Sequence, residues 1–300
     1  MDAESIDPEI KATLTAELNY NNACIDLNLI GDTMEDGSEY AATGAFLLSR
    51  ASSLDNYATW LPIANFRMTG ELPSAFLFRD YTIAQGATYI YSLQQFNDYG
   101  IYSNRLLTNH VEAQFEDAYL FDGKRQLRIR FNPKVSSFKT VVQESKKVTI
   151  GAKHPYIFRS GATEYKEFPI SGLISYMMDN DEFFLSKSRD LFIDNWENTT
   201  DIIDENVMVE RLFKLQVLDW LNDGRPKLFK SPQEGNYIVR LMNVSMSPID
   251  TVSRMLHNFN CQATEIADFT SDNLILYGLM DTADLVTHQM RWESIILQDK

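Results

Sequence analysis

The feature that most constrains this chain is the alternation of apolar and polar residues in short runs separated by turn residues. In Cys24-Ile25-Asp26-Leu27-Asn28-Leu29 the alternation places Ile25, Leu27 and Leu29 on one face and Asp26 and Asn28 on the other. A period of two marks a half-buried β-strand. Gly44–Arg50 and Phe76–Asp80 read the same way, and Trp60-Leu61-Pro62-Ile63 marks an edge strand, where a proline without an N–H is tolerated. From Ala23 to Ser103 short strands follow one another across polar turns with no long helical period, which is the pattern of a β-sandwich. With 300 residues, the chain exceeds the usual size of one hydrophobic core and predicts two domains in tandem.

The run Ile83–Ser103 is the most specific in the first half. It contains an apolar residue, a turn at Gly86, a strand opening on Tyr89 and alternating through Tyr91, Leu93 and Gln95, and then an Asn97-Asp98-Tyr99-Gly100 turn ending in Ser103. This order resembles the late strands of a fibronectin type III domain, and the resemblance implies that Tyr89 is the corner tyrosine. Such domains are spacers and binding modules, so the fold names no ligand. The aromatics Tyr89, Tyr91, Phe96, Tyr99 and Tyr102 read as core and turn packing, with a glycan-stacking platform as the alternative.

The second half opens at Phe115–Gly123. In Arg125–Phe131, Leu127, Ile129 and Phe131 share one face and Arg128 and Arg130 the other, and Asn132-Pro133 is expected to stop the strand. A strand at Tyr156–Arg159, a hairpin turn at Ser160-Gly161 and a returning strand at Glu164–Ser175 follow. Residues 176–204 are acidic and predict an insertion. A helix then starts at an Asp204 cap, carries Met208, Leu212, Leu215 and Leu218 at helical spacing, and ends at Gly224 and Pro226. Further strands are expected at Leu228-Phe229, Tyr237–Ser245 and Phe259–Glu265.

Thr149-Ile150-Gly151, Phe168–Ser175 and Pro226–Leu241 together resemble a family of bacteriophage virion structural proteins in which a fibronectin-like region precedes a tail-associated β domain. The order of strands, insertion, covering helix and returning strands is similar to the tail-tube and distal-tail fold. The resemblance implies a mainly β chain with a fibronectin type III-like sandwich followed by a tail-tube-like β-sandwich or barrel with one covering helix. The implied domains are an N-terminal arm over 1–19, the first domain over 20–112, the second over 113–270 with the insertion 176–204, and a C-terminal packing segment over 271–300. It further implies a tail or baseplate structural protein made in the host cytoplasm, whose partners are copies of itself and other tail proteins, with a host-surface glycan as the alternative ligand.

Charge gives this a mechanism. The chain carries −15 in total, which argues against a general nucleic-acid binder, but residues 121–170 hold 11 basic and 4 acidic side chains between two acidic blocks. Such an island can be a solvated face, a patch that meets an acidic surface on a neighbouring subunit, or a site for DNA. The expected subunit interface is therefore Arg128, Arg130, Lys134, Lys139, Lys153 and Arg159.

Enzymatic readings find little to stand on. His110, His154, His257 and His288 are dispersed, with no HExxH, and no GxxxxGK[ST], GxGxxG after a strand or GxSxG elbow occurs, so neither a catalytic group nor a cofactor is expected. Asp32–Gly37 looks like a calcium loop but places Met34 at a ligand position, which makes it a surface turn. Cys24 and Cys261 have no metal-ligand companions and read as reduced core thiols. No apolar run approaches a membrane span, and the acidic opening residues are unlike a signal peptide.

Overall fold

The computed structural model describes residue 10 and residues 12–31, 43–69, 75–96, 102–147, 155–175, 205–249 and 256–280. Lys153, the insertion 176–204, the turns at Asp32–Gly37 and Asn97–Gly100 and the distal part of the C-terminal segment lie outside them. The chain is mainly β, with antiparallel sheets throughout. It divides into two compact units, one of Met1–Glu116 with Leu274–Lys300 and one of Asp117–Asn273. Among the described residues no helix is long and apolar enough to cross a membrane.

The first unit contains β1 (Ala12–Asn19), β2 (Cys24–Gly31), β3 (Thr43–Ser52), β4 (Leu61–Thr69), β5 (Ala75–Asp80), β6 (Thr88–Phe96), β7 (Leu106–Leu107) and β8 (Val111–Glu112). One sheet has the order β1-β2-β5; the other has the order β4-β3-β6-β7, with β8 also paired to β6. Pro62 lies on β4, which is an edge strand, where its missing N–H breaks no ladder bond. Phe46 and Leu48 of β3 alternate inward, as do Tyr89, Tyr91 and Leu93 of β6. The hydroxyl of Tyr89 accepts the Ala84 N–H at 2.8 Å, five residues upstream, which pins the corner before β6.

A buried polar network ties the two sheets of this unit together. Arg50 of β3 donates through Nη1 to Asp80 Oδ2 of β5 at 2.6 Å and to Thr82 Oγ1 at 2.8 Å. Tyr91 of β6 donates to the same Asp80 oxygen at 2.9 Å, while the Thr82 amide and hydroxyl donate to Asp80 Oδ1 at 2.9 and 2.8 Å. Burial opposes charge on both partners, yet the Arg50 guanidinium and the Thr82 donors hold the Asp80 carboxyl below its ordinary range. Tyr91 is pushed well up, by burial and then by the Asp80 charge. Met280 closes the cluster, its Sδ 4.0 Å from Arg50 Nη2.

The second unit holds β9 (Ala118–Phe121), β10 (Gln126–Ile129), β11 (Phe131–Val135), β12 (Lys139–Lys147), β13 (Tyr156–Ile174), α1 (Glu205–Leu221), β14 (Lys227–Ser231), β15 (Gly235–Pro248) and β16 (His257–Ala267); α2 (Ser271–Leu276) leads the chain back to the first unit. One eight-stranded sheet runs β10-β9-β14-β15-β16-β13-β11, with β12 also on β13. Its two terminal strands, β10 and β11, are separated in sequence by Arg130 alone. One continuous stretch thus forms both ends of the sheet, which closes on itself into a barrel and so removes most of its edges. Phe168, Ile170, Phe229, Val239, Phe259 and Cys261 fill the core, joined by Phe213, Val217, Trp220 and Leu221 from α1.

Closure depends on Gly172. A Cβ there would lie 2.3 Å from Ile129 Cγ2 and 3.4 Å from the Phe131 carbonyl oxygen, so β13 meets the β10–β11 junction only where a side chain is missing. Ile129 is fully buried and its branched Cβ allows little movement. Gly172→Ala is expected to destabilise the second unit by about 1–3 kcal/mol. Ile129→Ala combined with it should cost less than the two singles added together, and urea unfolding of all three variants measures that coupling.

Several expectations need correction. Ala12–Asn19 is no arm but strand β1, paired along its full length with β2, because Ala12, Leu14 and Ala16 have a core to fill. The segment after Asn273 groups with the first unit rather than forming a separate packing segment, and Met280 joins the Arg50 cluster. Asn132-Pro133 does not end a strand: β11 runs through both, with Asn132 at φ 49 absorbing the irregularity. Nor does Ser160-Gly161 form a hairpin turn, since β13 is continuous and its hairpin partner is β12. On α1 the buried stripe is Glu210, Phe213, Val217, Trp220 and Leu221, whereas Leu215 is exposed. The Asp204 cap lies outside the described residues.

Candidate assembly surface

The barrel is not closed along its whole length. β14 pairs with β15 only as far as Val239, so β15 from Arg240 to Pro248 has a strand neighbour on one side, β16. Among the described residues β12 likewise has a strand neighbour only in β13. Unpaired edges of this kind present rows of backbone N–H and C=O groups that can take another strand.

β13 extends past the barrel wall. Its Glu167–Ile174 portion pairs with β16, while Tyr156–Glu164 pairs only with β12 and forms a two-stranded ribbon. Tyr156, Ile157, Phe158 and Arg159 face Lys147, Lys146, Ser145 and Glu144 in register. Alternation sends Ile157 and Phe158 to opposite faces of the ribbon, and they are 66% and 52% exposed. A lone two-stranded hairpin is marginal in water, so a ribbon with bare apolar side chains on both faces is suited to being sandwiched by a partner.

The six residues of the basic island are divided by this geometry. Lys134 and Lys139 sit opposite Ser171 and Glu167 of β13, on the outward face, since Phe168, Ile170 and Ile174 on the other face are buried. Arg130 is exposed, with its guanidinium 5.7 Å from the Phe131 ring centroid. Arg159 is exposed and engaged locally, its Nη2 2.5 Å from Glu164 Oε2. Lys139 lies 4.0 Å from Glu167 Oε2, a contact too long and too exposed to fix it. Lys153 is outside the described residues.

Arg128 belongs elsewhere. It is 7% exposed and its Nε donates to Asp117 Oδ2 at 2.6 Å, so it is an internal ion pair and no part of the outward basic face. Arg128 lies on the face of β10 opposite the core residues Leu127 and Ile129, and on that face it is buried against Asp117. Conversely, Lys146, Lys147, Ile157 and Phe158 went unassigned, although Lys139–Lys147 carries Val141 and Val142 between lysines, a weak sign of an edge strand guarded by charge.

At the end of β13 away from the ribbon, β11, β13, β16 and β15 form an open groove of about 740 Å³, lined among others by Asn132, Lys134, Ser171, Asn258, Ser247 and Ile249. It contains one cation and no carboxylate, and its amides and hydroxyls can bond a neighbouring backbone. Among the described residues no group of three or more His, Cys, Asp and Glu is placed to hold a metal ion. Both cysteines are buried and free, and burial pushes the Cys261 thiol up to about 12, which makes it unreactive. Tyr89 and Tyr91, two of the aromatics considered for a glycan platform, are buried in the first unit's core, whereas Tyr102 is exposed.

No family model matches this chain, and no curated protein matches it.

Proposed function

We propose that this protein is a structural subunit of a bacteriophage tail or baseplate that works by holding its neighbours. The observation that carries the reading is the second unit's incomplete closure: among the described residues, a barrel with two strand edges that pair on one side and a projecting ribbon on which Ile157 and Phe158 are largely exposed. A scaffold subunit needs such edges, and an isolated domain is served by avoiding them. The barrel with a packed helix is in keeping with the tail-tube and distal-tail resemblance. The first unit's sheet orders, β1-β2-β5 and β4-β3-β6-β7, together with the Tyr89 corner, support the fibronectin type III reading and a spacer role.

Electrostatics add selectivity. Outside residues 121–170 the chain is strongly acidic, so the outward cations Arg130, Lys134, Lys139, Lys146 and Lys147 can meet an acidic surface of the next copy. Two variants test this by sedimentation velocity and electron microscopy of the full chain. Ile157→Asp with Phe158→Asp should abolish self-assembly at any salt concentration, because it places charge where a neighbour must exclude water. Lys134→Gln with Lys139→Gln, Lys146→Gln and Lys147→Gln should weaken assembly most at low salt. Assembly untouched by the aspartates would remove the ribbon from the interface.

A further inference from the structure

Where α1 rests on the barrel, three polar side chains are buried together. Ser175, at the end of β13, donates from Oγ to Glu210 Oε2 of α1 at 3.1 Å. His257, the first residue of β16, has Nε2 3.8 Å from Glu210 Oε1. Their exposures are 2%, 2% and 4%. Among the described residues neither ring nitrogen of His257 makes a hydrogen bond.

We propose that His257, Glu210 and Ser175 form a proton-operated latch that holds the N-terminal half of α1 on the barrel when His257 is neutral and releases it on acidification. A neutral imidazole with unpaired nitrogens is tolerated in this site, whereas an imidazolium needs water or a close acceptor. Glu210 Oε1, at 3.8 Å, stands beyond hydrogen-bond range, and the other oxygen of that carboxyl accepts from Ser175.

Among the described residues, two charged groups of α1 stand near the ring: Glu210, whose Oε1 is 3.8 Å from Nε2, and Lys214, one turn further on, whose ammonium disfavours a proton on the ring. Its register partners in the flanking strands, Ile174 of β13 and Pro248 of β15, do not titrate. Burial first and the Lys214 ammonium second press the His257 pKa below its ordinary 6.5. The unfolded chain therefore takes up the proton before the folded chain does. Above the ordinary value the residue costs no stability, and stability is lost as pH falls from there through the depressed folded value.

Only one half of α1 is free to move in this way. At its other end the Trp220 indole N–H donates to Asp122, and Lys227 Nζ is 2.8 Å from Asp223 Oδ1 and 4.7 Å from the Trp220 ring centroid. The latch would give an assembling subunit two states of one element without unfolding the barrel.

The imidazole titration of the full chain, followed by NMR with labelled histidine, tests the first half of the proposal. His257→Gln assigns its resonance. If that variant does not fold, His110→Gln, His154→Gln and His288→Gln assign it by elimination. The expected result is a midpoint below 6.5, and a midpoint at or above that value overturns the latch. Hydrogen exchange tests the second half: after correction for intrinsic rates, protection of α1 amides should fall at least tenfold more than that of β14 amides between pH 7.5 and 5. Equal loss in both elements would mean global acid unfolding and would also overturn it.

Discussion

Asp80→Asn is expected to destabilise the first unit by about 3–5 kcal/mol at neutral pH, with the variant's own stability unchanged by titration of this site, whereas Arg50→Met should cost as much at neutral pH and recover part of the loss in acid. The asymmetry follows from what each substitution leaves behind. Without Asp80 a guanidinium remains buried, and arginine cannot shed its proton. Without Arg50 a carboxylate remains buried among the Tyr91 and Thr82 donors, and it can neutralise itself by taking a proton up. In the native protein the direction is opposite: the Asp80 pKa lies below its ordinary value, so its stabilisation is present at neutral pH and disappears as pH falls through the folded value. The double variant, Arg50→Met with Asp80→Asn, should be less damaged than either single change, because no charge is left unpaired. Urea unfolding read by hydrogen exchange of β6 measures these effects on the first unit alone. A pH-independent Arg50→Met would show that Asp80 does not carry the buried charge.

Phe168→Ala should remove about 3–5 kcal/mol from the second unit. The ring is fully buried where β13 crosses from barrel wall to ribbon, with ring centroids of Phe138, Tyr237 and Phe229 at 4.6, 5.2 and 5.8 Å. Three aromatic neighbours cannot all move into the space it vacates, so a cavity remains and its lining loses dispersion contacts. Phe168→Leu, which keeps much of the volume, should cost much less. Since Phe138 lies in the turn before β12, the alanine variant should also loosen the ribbon and weaken assembly. Unfolding midpoints for both substitutions, with sedimentation of the alanine variant at a temperature where it stays folded, separate the two effects.

What could be read in advance was governed by period and punctuation. The strand at Cys24 and the opening of the strand at Tyr89 are half-buried on a two-residue repeat, and such strands show their inward face in the sequence. The edge position of β4 was legible in Pro62. By contrast β12, Lys-Thr-Val-Val-Gln-Glu-Ser-Lys-Lys, has no buried face to advertise, and only its pairing with β13 makes it a strand. The stripe of α1 was misjudged for a related reason. Leu212, Leu215 and Leu218 have helical spacing, and Leu212 packs against the core, but Leu215 is exposed, and the fully buried stripe runs through Phe213 and Val217 and includes Glu210, which receives the Ser175 hydroxyl. Arg128 alternates like a surface residue and is buried by a partner, Asp117, that no local pattern pairs with it.

The amino-acid sequence by itself determined the mainly β character, the two-part organisation and the presence of a basic block amid acidic ones. These are properties of local patterning and composition, which act without knowledge of distant contacts. Only the tertiary structure decided that β10 and β11 are the two ends of one closed sheet, that the ribbon exposes Ile157 and Phe158, and that Arg50 with Asp80, and Ser175 with Glu210 and His257, come together in the interior. Each of those depends on residues far apart in the chain, and their energetics are set by burial, which no stretch of sequence carries within itself.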